Sequence, residues 1–429
     1  MDDVGRRTIR SVTRRLIPFL FVLYVVAYLD RVNFGYAALQ MNSALGISAG
    51  VFGVLSGIFF IGYLVFEIPS NLVLQRVGAR IWIARIMVTW GVVEVVTAFA
   101  TNATELAALR FLLGIAEAGF FPGLILYLTG WFRRRELAST VALFMTALAV
   151  SNIVGAPVST WILDHVSWFG LSGWRWLFII EGLPAVILGI VAWLYLTDRP
   201  AEATWLSVEE KAWLRSELER EEDECRQRGA LTDIRPVMTG RDAWHLALVY
   251  CLVIIGLYGT GFWMPQIIRS LDPGFSNFSV GLLMIVPFLA ALIAMIAWGR
   301  HSDRTGERRW HTALPALAGG IALIAAMFTA QPAVVFLLLV VATVGIFCTF
   351  GPFWTLPLKV FSCTAAAVGI ALINSVGNLG GFIGPSVMGY IALVTGSVQG
   401  GLPVVGICLV LAGILSVLIR DKGDEDVPA

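Results

Sequence analysis

Asp30 and Arg31 stand side by side in an apolar run that extends from about Leu16 to Leu39. A central Asp or Arg costs roughly 2.5 to 3.5 kcal/mol to place in a bilayer, so such residues face a protein interior or a water-filled cavity and mark a functional site. Arg110 and Glu117 form a second charged set, in the run 105–129. Seven residues make nearly two helical turns, which puts both on one helix face about 10 Å apart along the axis. Carboxyl groups can take up and release protons. An arginine fork takes a carboxylate bidentately and does not lose its own proton. Asn374 and Asn378, one turn apart, suit either hydroxyl recognition or bonding between helices. Tyr28 neighbours Arg31 on its helix, Tyr63 lies mid-span, and Trp354 offers a ring for packing. Glu67, Glu94 and Glu181 are further acids within apolar runs, the first two in no interpretable spacing.

The elements that must position these residues follow from composition. The 429 residues are 58% hydrophobic and only 14% charged, with mean hydropathy +0.81. That balance is far from a soluble globular chain, and the repeated apolar runs read as a polytopic helical membrane protein. Alternating ten-residue segments, the mark of a β-barrel, are absent. Twelve spans are expected, at about 16–39, 49–74, 81–101, 105–129, 137–163, 174–197, 243–270, 277–299, 311–330, 332–357, 364–394 and 400–420. They divide the chain into a tail (1–15), a six-helix bundle (16–197), a central loop with a helix (198–241), a second six-helix bundle (242–420) and a tail (421–429). Lys and Arg crowd the N-terminal tail, alternate links and the central loop, so the positive-inside rule puts both termini in the cytoplasm of a multi-pass protein of the cell membrane. Ser207 to Glu210 reads as a capping box at the start of the central helix.

The two halves echo one another. Gly78 and Gly306 lie 228 residues apart, as do Pro157 and Pro385, while Pro122 and Pro352 lie 230 apart. A duplicated six-span unit accounts for landmarks that hold nearly one offset. Two such halves around a central cavity suit alternating access.

The segment from Gly299 through Asp303, Arg304, Gly306 and Arg308 to Arg309 resembles the cytoplasmic signature of the major facilitator superfamily. The first copy departs from it, with Gln75 in place of Asp and Asn71 in place of Gly. Within that superfamily the chain resembles the anion:cation symporters, which include tartrate, sugar-acid and aromatic-acid permeases. The stretches that carry this are Tyr28–Asn33, Arg110–Gly119, Gly173–Gly182 and Asp198 through Glu210.

The resemblance implies an all-α fold of two pseudo-symmetric six-helix bundles and proton-coupled uptake of a small organic anion. It also implies that the first and fourth spans line one cavity, where Asp30, Arg31, Arg110 and Glu117 would form a cluster of balanced charge. In that cluster Arg31 is expected to take the substrate carboxylate. Asp30 and Glu117 are expected to carry protons, with Glu117 paired to Arg110. Protonating an acid would free an arginine, and an unpaired buried charge is costly, so proton and anion would bind together. The resemblance favours ligand roles for Tyr28, Tyr63, Trp354 and Asn378, and hydroxyl recognition is expected of Asn374. A cytoplasmic latch is expected of Asp303, Arg304 and Arg308, with the Asp capping a helix or pairing across the two halves. The expected partners are a small organic anion, protons and the lipid bilayer, with no nucleic acid, a functional monomer, no metal, and no cofactor beyond the proton gradient. A hydroxy acid such as tartrate or a sugar acid is the first expectation. An aromatic carboxylate and a transporter-like sensor without transport remain open. An enzyme is not expected, since the spans hold no P-loop, no H-E-x-x-H and no nucleophile–His pair.

Overall fold

The computed structural model describes residues 3–227, 238–361 and 363–419. The expected tail 421–429 and residues 228–237 of the central loop lie outside the described residues. Among those described, the chain is all helical: α1 (Asp3–Leu45), α2 (Ala49–Val77), α3 (Ala79–Thr97), α4 (Ala103–Glu117), α5 (Phe120–Thr129), α6 (Arg134–His165) and α7 (Gly173–Tyr195). After them come α8 (Val208–Gln227), α9 (Arg241–Leu271), α10 (Asn277–Thr305), α11 (Arg309–Ala325), α12 (Pro332–Val360), α13 (Cys363–Thr395) and α14 (Leu402–Val417). Among the described residues, ten helical segments are long and apolar enough to cross a membrane. The arginine-bearing α3 and the 16-residue α14 complete the twelve spans, with α4 and α5 counted as one.

Local chemistry sets the ends. Ser48, Asn102 and Ser276 cap α2, α4 and α10, each side-chain oxygen accepting from the backbone N–H three residues on. Ser207 and Glu210 close a capping box in both directions, at 3.2 and 2.9 Å. Two departures from the expected spans are physical. Residues 3–15 are helical and continuous with the first span, because after Gly5 no glycine or proline interrupts them before Pro18. This extension is held by Tyr195, whose hydroxyl donates to Arg15 O at 2.9 Å and whose ring lies 4.0 Å from the Arg15 guanidinium. The fourth span breaks at Ala118–Gly119. Gly119 has φ +82°, and a Cβ there would stand 2.6 Å from Ser70 Oγ, so only glycine fits both the turn and the neighbour.

The duplication appears in the packing. In the first half α1 packs on α6, α2 on α4, and α3 on α7; in the second, α9 packs on α13, α10 on α12, and α11 on α14. The halves meet along three seams, α2 with α13, α6 with α10, and α1 with α9. In lipid there is little hydrophobic drive between helices, so seams rely on small residues and hydrogen bonds. At the end of the bundle poor in arginine, a Cβ on Gly53 would lie 2.5 Å from Pro385 O, and one on Gly389 would lie 2.6 Å from Ala49 O. At the α6–α10 seam, Asp164 accepts from Asn277 Nδ2 at 2.6 Å and from Phe278 N at 2.8 Å.

Gly53→Leu is therefore expected to overpack the seam at a cost of about 1–3 kcal/mol. Thermal unfolding in detergent should show a lower Tm for this variant than for Gly261→Ala, since a Cβ at Gly261 meets nothing within 4 Å. Equal Tm values would show that the seam yields freely.

Candidate functional site

Arg31, on α1, reaches across the centre of the molecule. Its Nη2 donates to Glu117 Oε1, and its Nη1 donates to the Tyr258 hydroxyl at 3.1 Å on α9 of the other half. Its guanidinium lies 5.2 Å from the Phe59 ring and 5.5 Å from the Tyr63 ring. The ion pair is enclosed, with Arg31 12% and Glu117 3% exposed. Glu117 is the last residue of α4, and a carboxylate is unfavourable at the negative end of a helix dipole. The Gly119 break thus leaves the acid where it depends on a cation from another helix.

Arg110 is not that cation. The expected Arg110–Glu117 pair does not form, because seven residues separate the two by about 10 Å along α4 and Arg31 already occupies the nearer position. Arg110 is instead 1% exposed, and its guanidinium faces Phe34 at 4.4 Å and Phe59 at 5.3 Å. None of its three side-chain nitrogens has a hydrogen-bond partner among the described residues. Its charge is felt by Glu94 and Glu117.

Asp30 faces away from Arg31, into the first half. Its Oδ2 accepts from Trp90 Nε1 at 2.8 Å, while Oδ1 has no partner among the described residues. Next to it, Asn33 donates to Glu94 Oε1 at 2.8 Å, and Glu181 accepts from Ser159 Oγ at 2.6 Å. The membrane-spanning part of the first half thus buries the acids Asp30, Glu67, Glu94, Glu117 and Glu181 and the arginine Arg110, with Arg31 partly buried beside them. Trp90 and Asn33 had no legible role in the sequence, and Glu94 stood there only as a candidate proton site without a partner, since the residues they bond lie 60 or 61 positions away.

Tyr28 lines a narrow cavity with Val32, Asn152, Tyr258, Thr260 and Phe262. Tyr63 stands beside Arg31. Trp354 packs edge-on against Tyr250 with ring centres 4.9 Å apart, and its Nε1 has no partner among the described residues. Asn378 is buried, one turn beyond Asn374. Asn374 is engaged elsewhere, donating to Glu67 Oε1 at 2.6 Å. Arg31, Glu117, Tyr63 and Tyr258 therefore come together, and Asn374 is drawn to Glu67.

At the arginine-rich end, Gly306 (φ +70°) stops α10. Asp303 pairs with Arg308 Nη1 at 2.8 Å, and the same nitrogen donates to Ser302 Oγ at 2.8 Å. That pair stays within the second half and does not bridge the halves, because the turn at Gly306 folds Arg308 back onto α10. Arg304 is exposed and Gly299 half-buried. Burial pushes the Glu307 carboxyl up, but bonds from the Trp310 N–H and from the His311 ring and N–H outweigh it and hold it below the usual range. In the first copy, where Gln75 replaces the Asp, Asp198 supplies the acid. It accepts from the Arg80 N–H at 2.8 Å and lies 3.8 Å from Arg80 Nε.

Residues 20–385 match the family described as Major Facilitator Superfamily. The chain is 46% identical to a "Putative tartrate transporter" of Agrobacterium vitis over 430 residues, covering 99% of this chain and 97% of the relative. It is 41% identical to "Putative metabolite transport protein NicT" of Pseudomonas putida, over 98% of this chain and 96% of the relative. Among solved structures, the inward-facing, unoccupied bacterial homolog of the human lysosomal transporter Spinster superposes with TM-score 0.74 at 16% identity, covering 98% of this chain and 97% of that one. A D-xylose–proton symporter superposes with TM-score 0.73 at 16% identity, covering 94% and 99%. At that identity the superpositions speak for the fold.

Proposed function

The chain belongs to the major facilitator superfamily and is a membrane transporter, not an enzyme, and from that premise we propose that it imports a small organic anion together with protons by alternating access. The substrate is a carboxylate, with a hydroxy acid such as tartrate or a sugar acid first. Both termini and the arginine-rich end face the cytoplasm, following the distribution of Lys and Arg. The observation that carries the reading is Arg31, an enclosed arginine held by Glu117 at the meeting of the two halves.

In this reading Glu117 acts as an internal stand-in for the substrate carboxylate. Protonating Glu117 releases Arg31, and leaving that buried charge alone is costly. A substrate carboxylate then takes the fork in place of Glu117. Neither proton nor anion binds well without the other, which is the linkage that symport requires. Asp30 and the unpartnered Arg110 complete the charge balance around the site, and Asp30 carries a further proton. Tyr28, Tyr63, Tyr258, Asn378 and Trp354 shape the remainder of the substrate site. The aromatic rings around Arg31 favour a second reading, an aromatic carboxylate as substrate. The relatives named for tartrate transport support the first.

The test is uptake into proteoliposomes with an alkaline interior, screening tartrate, aldonates, hexuronates and aromatic carboxylates. Each proton coupled to the anion should add about tenfold accumulation per pH unit at zero membrane potential, abolished by a protonophore. If no carboxylate accumulates, the symport reading falls and a transporter-like sensor replaces it.

A further inference from the structure

Glu67 lies on α2, one turn beyond Tyr63, and is 3% exposed. Its Oε1 accepts from Asn374 Nδ2 at 2.6 Å, and its Oε2 accepts from Ser375 Oγ at 2.9 Å. Both donors sit on α13, in the other half. These bonds cross the same α2–α13 seam that Gly53, Pro385 and Gly389 close at the arginine-poor end. Arg31 lies against Phe59 and Tyr63 of α2, which fall between Gly53 and Glu67 along that helix, so the two closures lie on opposite sides of Arg31. No ion pair of Glu67 occurs among the described residues. The charged and titratable groups that act on it are Arg31 from α1, Tyr63 from its own helix and Tyr250 from α9.

We propose that Glu67, Asn374 and Ser375 form a proton-operated clasp that closes the pathway on the arginine-rich side of the substrate site. As a carboxylate, Glu67 accepts both bonds, and bonds to an ionised acceptor are roughly twice as strong as neutral ones. Once protonated, one oxygen carries a hydrogen and becomes a donor. The Asn374 amide nitrogen is only a donor, so the new O–H must turn to Ser375, whose hydroxyl reverses to accept it, and both contacts become the weaker bonds of a neutral acid. Opening toward the arginine-rich end must part α2 from α13 at this point. The proton therefore eases that opening, and its release into the compartment then exposed restores the carboxylate and draws the clasp shut. Asn374 thus acts as a gate residue, and Asn378, one turn on, is left to the substrate.

The inference rests on the transport reading for its consequence, but its test needs no substrate. Hydrogen–deuterium exchange is measured on the purified full chain in lipid nanodiscs. Glu67→Gln mimics the protonated acid and is expected to raise exchange several-fold in 64–77 and 370–380, leaving 49–57 and 385–395 unchanged. Ser375→Ala, which deletes one bond and spares the acid, is expected to raise the same segments to a smaller degree and covers the case in which Glu67→Gln fails to fold. Wild-type protein, corrected for intrinsic rates, should show the rise on acidification, and Glu67→Gln should not. Wild-type exchange in both variants, or loosening at both ends of the seam, would overturn the clasp. A failure to transport any carboxylate would overturn the symport reading and leave this result standing.

Discussion

Arg31→Gln is expected to abolish uptake at every pH. The wild-type arginine offers a fork to a carboxylate, and each charge-assisted bond contributes about 1.5–3 kcal/mol. Losing two such bonds lowers substrate affinity by about 10²–10⁴-fold. The variant also strands Glu117, buried at the end of α4 with its Arg31 partner gone. An uncompensated buried charge costs about 3–5 kcal/mol, which the acid escapes by holding its proton permanently. Binding and coupling thus fail together. Arg31→Lys separates them: the charge remains, the planar fork does not, so uptake should be weakened yet still follow the pH gradient. The measurement is initial-rate uptake in proteoliposomes of matched protein content, with size-exclusion profiles to establish folding. Uptake by Arg31→Gln within about threefold of wild type would remove Arg31 from the substrate site.

The membrane architecture was legible because its cause is local. A span is written in 20 or so consecutive residues, and the duplicated unit is written in recurring landmarks such as Gly78 and Gly306. The hinge at Gly119 also had a signal, a glycine followed three residues on by Pro122, though the apolar run around it reads as one span. The charges of the site were legible for a similar reason, since any Asp, Glu or Arg in an apolar run declares itself by its cost. Their pairing was not. Spacing on α4 joins Arg110 to Glu117, but only the assembled fold, in which the long Arg31 side chain reaches across from α1, decides that Arg31 takes the acid. Glu67 and Asn374 are 307 residues apart, and no short-range pattern links them. Asp198 makes the same point in reverse. The first latch copy lacks its acid locally, and an aspartate from beyond the sixth span fills the place.

Glu117→Gln is expected to divide exchange from accumulation. The amide keeps the size of the acid and can still accept one bond from Arg31, but it neither carries a charge nor titrates. Arg31 is then permanently without its internal counter-ion, in the condition that protonation confers on the wild type. A substrate carboxylate becomes the available partner at any pH, so binding should persist and lose its pH dependence. Homoexchange of labelled for unlabelled substrate across proteoliposomes should therefore remain within about tenfold of wild type. Net uptake should no longer respond to an imposed pH gradient, and accumulation above equilibrium should vanish. The reason lies in the return step. An empty carrier must cross back with Arg31 unpaired and buried, and breaking a buried pair costs about 3–5 kcal/mol, so only the loaded form exchanges freely. Asp30→Asn distinguishes this from a general loss of charge balance. Asp30 bonds to Trp90 and not to Arg31, so its removal leaves the Arg31–Glu117 pair intact and should alter the proton dependence without making binding independent of pH. Accumulation by Glu117→Gln against a gradient would place the essential proton elsewhere, with Asp30 the first acid to test and Glu67 and Glu94 the next.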